Sequence, residues 1–120
     1  MSALAEMLDH DFRSASLPAW LRCVDAQITL AGARARGDAA GADQAQHLLR
    51  IAAVELAGVV ASWKHLGREE LWHRGPDEGR EFWDLCVQYG TAVRRLTLAE
   101  EELRLATEAV RQADAALGAG

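Results

Sequence analysis

Residues 82–117, FWDLCVQYGTAVRRLTLAEEELRLATEAVRQADAAL, contain the longest uninterrupted pattern in the chain. Their apolar residues recur in alternating steps of three and four, which is the spacing of a helix with one apolar stripe. The pattern predicts a helix from about Asp77 to Leu117, with an apolar stripe that we call the seam. The seam consists of Phe82, Leu85, Tyr89, Ala92, Leu96, Ala99, Leu103, Ala106, Val110, Ala113 and Leu117.

Alanine occupies every second seam position from residue 92 onward. Small side chains at this spacing let two helices approach closely, although alanine is also simply abundant here. The predicted helix is about 60 Å long and would extend past neighbours of about 30 to 40 Å. We therefore predict that residues 99–117 form an oligomerisation arm, covered by a second copy, a different protein or the folded-back N-terminal helix. The predicted interface residues, most simply in a two-fold dimer, are Leu96, Ala99, Leu103, Ala106, Val110, Ala113 and Leu117.

The rest of the chain also has helical periodicity and no alternating strand pattern. It predicts a helix over residues 2–13, a break at SASLP with Ser16 as N-cap and Pro18 in the next first turn, and a second helix to about Arg36. GDAAGA at 37–42 is the next turn, and Asp38 or Asp43 would cap a third helix. The predicted buried positions are Leu17, Leu21, Val24, Ile28, Ala31 and Ala35, then Ala45, Leu49, Ala52, Leu56, Val59, Trp63 and Leu66. Residues 1–120 are thus expected to form one all-α domain, an up-and-down bundle of three or four helices with an extended, coiled-coil-like C-terminal helix.

Composition narrows the function classes. Half of the residues are hydrophobic and 26% are charged, which is typical of a globular protein. The net charge of −5 argues against a broad nucleic-acid-binding face. No apolar run suggests a membrane span, and acids stand where a signal peptide has a cationic end, so we expect a cytoplasmic protein. Cys23 and Cys86 have no motif around them, and we expect two reduced thiols.

Aromatic residues concentrate near the end of the third predicted helix. Trp63, Trp72 and Trp83, with His65, could form the walls of a ligand pocket or simply plug the bundle core. Glu70 and His73 have the Glu-x-x-His spacing of carboxylate-bridged di-iron bundles, but the sequence holds no second copy, so no metal site is expected. No cofactor is expected either.

Residues 63–85, WKHLGREELWHRGPDEGREFWDL, contain Arg68 and, after four residues, His73. This segment resembles the HEPN family of small all-helical proteins, in which an Arg-x4–6-His motif follows a helical hairpin and precedes a long last helix. The resemblance implies a metal-independent ribonuclease, often dimeric, in which Arg68 binds the phosphate and His73 acts as acid or base. The alternative is a corner of solvated charges.

Two functions therefore remain open. The seam and the lack of a complete catalytic set favour a scaffold or adaptor protein that acts through helix association, without catalysis of its own. The alternative is the HEPN-like ribonuclease or a degenerate relative, and RNA is an expected partner only in that case.

Overall fold

The computed structural model describes the backbone of residues 3–65 and 79–119 and the side chains of residues 11–63 and 79–118. Three helices make up almost all of this part of the chain, which contains no strand. Helix α1 spans Ala3–Ala35, α2 spans Ala39–His65 and α3 spans Arg80–Ala119. Helix α2 packs against both α1 and α3. The predicted all-α bundle is confirmed, with three helices in the described residues.

The turn between α1 and α2 follows from its sequence. Gly37 takes a positive φ of 68°, which a side chain would disfavour. The amide of Asp38 then donates to the carbonyl of Ala33 at 2.9 Å and that of Gly37 to Arg34 at 3.1 Å, the Schellman pattern of a helix C-terminus. Asp38 in turn accepts a hydrogen bond from the Gly41 amide at 2.9 Å and caps α2. The predicted turn and its cap at Asp38 are confirmed.

The predicted break near Pro18 is wrong, because α1 runs through it without interruption. Ser16 does not cap a helix: it is buried, and its hydroxyl donates back to the carbonyl of Arg13 at 3.3 Å. Pro18 removes one backbone hydrogen bond, to the carbonyl of Ser14. Both residues are exposed, so water can satisfy that carbonyl. Phe12 is buried before the proline, and further residues of α1 are buried after it. Packing on both sides of Pro18 thus keeps the helix continuous.

The buried face of α1 also differs from the prediction. Leu17, Leu21 and Ile28 were expected in the core, but all three are about half exposed or more. The buried stripe lies instead on smaller residues, which again recur in steps of four and three. It consists of Phe12, Ser16, Ala19, Cys23, Ala26, Leu30 and Ala33. Alanine at every seventh position allows α1 and α2 to pack closely, and this gain in packing outweighs burial of the larger side chains.

Helix α2 is the central helix of the bundle. Its predicted face is mostly confirmed, with Val60 rather than Val59 fully buried; its buried residues are Ala45, Leu49, Ala52, Ala53, Leu56, Ala57 and Val60. By length and composition alone, Ala39–Trp63 of α2, with a mean hydropathy of 1.2, passes a test for membrane-crossing helices. The core helix of a soluble protein passes the same test, and α2 packs against both α1 and α3. We therefore interpret α2 as the core helix of the bundle.

Helices α2 and α3 cross at Gly90. A Cβ atom built on this glycine would lie 2.0 Å from the carbonyl oxygen of Ala53 and 2.8 Å from the Cβ of Ala57. The two backbones therefore touch at a point where only hydrogen fits. Gly90 was absent from the predicted seam, and it fixes which face of α3 points into the bundle.

The molecule is elongated because α3 extends past the helices that it packs against. The radius of gyration of the molecule is 19.8 Å, whereas a compact chain of this length would have about 14 Å. Trp83 of α3 lies beside Trp20 of α1, at 5.4 Å between ring centroids. From residue 94 to residue 118, every residue of α3 is exposed except the partly buried Glu108. The predicted arm, residues 99–117, lies within this exposed part of α3.

Candidate interaction surface on α3

Helix α3 has two apolar faces. The face toward the bundle carries Trp83, Cys86 and Gly90, all buried. The predicted seam is a different face: Phe82 and Tyr89 are partly buried at its start, but Leu85 is 61% exposed. The sequence thus predicted the helix correctly and placed the core-facing stripe one position too early.

The seam is exposed along the whole arm. Leu96 is 49% exposed, Leu103 68%, Val110 60% and Leu117 81%. The alanines between them are exposed as well. No described side chain of α1 or α2 covers them, so the described part of the chain does not bury the arm by folding back.

Charged residues on the arm lie beside the seam and pair within the helix. Arg104 binds Glu101 at 2.6 Å, and Arg111 binds Glu108 at 2.5 Å. These hydrogen bonds lower the pKa of Glu101 and of Glu108. Arg104 pairs with Glu101, three residues earlier, rather than with Glu100, four residues earlier. Each pair is exposed and adds little to stability, but together they keep the charges away from the apolar stripe.

A groove of about 590 Å³ runs between α2 and α3. Small apolar side chains of both helices form its floor, and Gln88 and Arg95 stand at its edge. Ala57 lines the groove and also lies against Gly90, so the groove lies directly beside the close crossing of the two helices. Ala92 lines the groove and is also a seam residue, so the groove meets the seam at this position.

Two of the predicted pocket residues pack into an aromatic cluster. Phe12 meets Trp63 at 5.8 Å and Trp83 at 6.3 Å between ring centroids, edge to face in both cases. Trp20 contacts Trp83 and, at 5.7 Å, Phe82. In this cluster the aromatic rings fill the end of the core.

Trp72 and the side chain of His65 lie outside the described residues, so the pocket prediction rests on sequence alone. Arg68 and His73 also lie outside them, and their catalytic roles stay a prediction. Within residues 11–63 and 79–118, no group of three or more acidic, histidine or cysteine side chains is arranged to hold a metal ion.

The two cysteines, distant in sequence, meet in the core. Cys23 on α1 and Cys86 on α3 are both free and buried. A hydrogen bond between the two thiols lowers the pKa of Cys23 and, with burial, raises that of Cys86. Sequence analysis could not find this pair, because neither cysteine lies in a motif.

Comparison of the chain with protein-family models, with curated proteins and with solved structures found no match.

Proposed function

We propose that the protein is a scaffold or adaptor that self-associates through the seam of α3. The observation that carries this proposal is the exposure of the seam over the whole arm. An apolar stripe of this length in water is unfavourable, and a second helix with the same pattern would remove it from water.

The bundle itself uses the same packing pattern. On α1 the buried alanines Ala19, Ala26 and Ala33 are seven residues apart, and Ala45 and Ala52 on α2 have the same spacing. These two antiparallel helices pack through that pattern within one molecule. The arm repeats it with Ala92, Ala99, Ala106 and Ala113. By the same physics, the arm is suited to an antiparallel helix of matching pattern.

A second copy of α3 supplies that match. Along the arm, seam positions with alanine alternate with seam positions that hold leucine or valine. In an antiparallel pair of helices, an alanine position of one helix faces a large residue of the other, whereas in a parallel pair alanine faces alanine. Antiparallel pairing thus puts every alanine against a large residue and leaves no gap. In this register Ala92 faces Leu117 of the second copy, Leu96 faces Ala113, Ala99 faces Val110, and Leu103 faces Ala106.

The residues on either side of the seam are compatible with this register. At the rim of the antiparallel pair, Glu100 comes beside Thr107 of the second copy, and Glu102 comes beside Ala109. No two like charges oppose each other there, so repulsion does not counter the apolar contact. The expected assembly is a two-fold dimer, because each arm presents the same surface to the other.

Leu103→Glu tests the proposal by placing a carboxylate in the centre of the paired arms. We expect wild-type protein to sediment as a dimer at micromolar concentration. The variant should self-associate roughly a hundredfold more weakly, because the charge loses its water on pairing. Sedimentation equilibrium measures both constants.

Leu105→Glu is the matched control. Leu105 is 53% exposed, lies two residues away and points off the seam, so this variant should dimerise like wild type. A wild-type protein that stays monomeric, or equal weakening by both substitutions, would contradict the proposal.

A second candidate function is metal-independent RNA cleavage, with Arg68 and His73 in the roles that the HEPN resemblance implies. Supporting it, α2 ends at His65 and α3 begins at Arg80. The segment with both residues thus follows a helical hairpin and precedes the last long helix, as in that family.

His73→Ala tests this second candidate. With RNA and a metal chelator, wild type should cleave, and the variant should be slower by a factor of roughly a hundred or more, because proton transfer is lost. His47→Ala, on the exposed side of α2, should cleave like wild type. If wild type leaves RNA intact, or if His73→Ala cleaves equally well, the ribonuclease function is wrong.

A further inference from the structure

Cys23 and Cys86 form a thiol pair between two helices that otherwise meet mainly through aromatic side chains. Both belong to the same buried core cluster, and each thiol shifts the pKa of the other. Helix α2 contacts α1 and α3 extensively, whereas direct backbone proximity between α1 and α3 is sparse. A covalent bond at this point would therefore join the outer helices of the bundle.

The contact between Trp20 and Trp83 independently supports the closeness of the two cysteines. Trp20 and Trp83 lie three residues before Cys23 and Cys86, which is nearly one turn back on the same face of each helix. Their rings are 5.4 Å apart, edge to face. Because α2 runs antiparallel to both, α1 and α3 run in the same direction. Three residues further along both helices, the pair of tryptophans is therefore followed by the pair of cysteines.

We propose that Cys23 and Cys86 are an oxidation site that forms an intramolecular disulfide bond. With a peroxide as oxidant, the Cys23 thiolate attacks one peroxide oxygen, the O–O bond breaks, and a sulfenic acid and hydroxide form. The Cys86 sulfur then attacks the Cys23 sulfur. The S–O bond breaks as the S–S bond forms, and the Cys86 proton leaves with the hydroxyl group as water. In total, two thiols are oxidised and one peroxide is reduced to two waters.

The groups around the two cysteines indicate which thiol attacks the peroxide and which reacts second. The hydrogen bond from Cys86 and the positive charge of Arg22 lower the pKa of Cys23, while burial and Glu55 oppose them. Cys23 is thus the thiol that ionises first and attacks the oxidant. Cys86 keeps its proton and reacts second. Both sulfurs are buried, which favours a small oxidant such as hydrogen peroxide over a bulky disulfide.

The disulfide would close a loop that contains all of α2. Closing a long loop restricts the unfolded chain, so the oxidised protein should be more stable than the reduced one. Forming the bond requires the two sulfurs to come to about 2.05 Å from each other. The link does not involve the seam, and self-association should be the same in both forms.

The test treats full-length native protein with hydrogen peroxide. We expect both free thiols to disappear, the mass to fall by two hydrogens, and peptide mapping to join the segments around Cys23 and Cys86. The melting temperature should rise by roughly 10 °C and return to its original value with dithiothreitol. Cys23→Ser and Cys86→Ser should each abolish the rise.

Three results would overturn the proposal: a disulfide between two chains, sulfinic acid on one cysteine with the other thiol still free, or no reaction of either thiol. The wild-type peptide map decides the question even if a serine variant folds poorly. Measurement on Leu103→Glu protein separates this site from self-association, since the disulfide should form equally well in that variant.

Discussion

Replacing Gly90 with alanine should lower the free energy of unfolding by about 3 kcal/mol, a large part of the stability of a domain of this size. The added methyl group would lie 2.0 Å from the Ala53 carbonyl oxygen, which is backbone and cannot rotate away. Helices α2 and α3 must therefore separate, and contacts on both sides of the crossing weaken. The higher helix propensity of alanine, about 1 kcal/mol, offsets only part of this loss.

Gly58→Ala on α2 is the matched control. Gly58 is also a helical glycine, but nothing lies within 4 Å of its missing Cβ. Its replacement should raise stability by about 0.5 to 1 kcal/mol through helix propensity alone. Urea unfolding followed by circular dichroism gives both values, at one protein concentration so that any self-association is constant. Two glycine variants that change stability in the same direction would show that the close crossing at Gly90 does not limit the packing.

The elements that sequence predicted well are those fixed by local chemistry. The turn at Gly37 and Asp38 was predicted because a glycine at a helix end and an aspartate at the next helix start act on their own neighbours. The extent of α3 followed from its unbroken periodicity. Neither prediction needed knowledge of what the helix packs against.

The faces of the helices were harder to predict, because alanine-rich helices carry more than one apolar stripe. On α1, the stripe with Leu17, Leu21 and Ile28 has larger side chains than the stripe that the core uses, so hydrophobicity favoured it. Close packing favours the small residues, such as Ala19 and Ala26, because they let the helices approach. Periodicity alone cannot choose between two such stripes.

The contacts that matter most for the proposed sites are non-local. A lone glycine within a helical pattern, as at Gly90, is a usable signal of close approach, because glycine weakens a helix unless packing requires it. The meeting of Cys23 with Cys86 had no such signal. It depends on α1 and α3 running in the same direction on either side of α2, which only the assembled fold provides.

Replacing Trp83 with alanine should lower stability by about 3 to 5 kcal/mol, the largest loss that we expect for a single side chain here. Trp83 is buried in the core and touches Phe12 and Trp20 of α1 edge to face. Its ring is the main contact between α1 and the start of α3. Removing it leaves a cavity at the end of the bundle that the surrounding helices can only partly fill.

Trp83→Phe separates the ring from its N–H group. The Nε1 atom of Trp83 is buried and has no hydrogen-bond acceptor among the described residues, so its loss removes a desolvation cost. We expect phenylalanine to cost about 1 kcal/mol, because it keeps an aromatic ring in the cluster. Urea unfolding of both variants, in the Leu103→Glu background to exclude dimer formation, measures the difference. Equal losses for phenylalanine and alanine would contradict this expectation, because an aromatic ring at position 83 would then not be enough to hold α3 to α1.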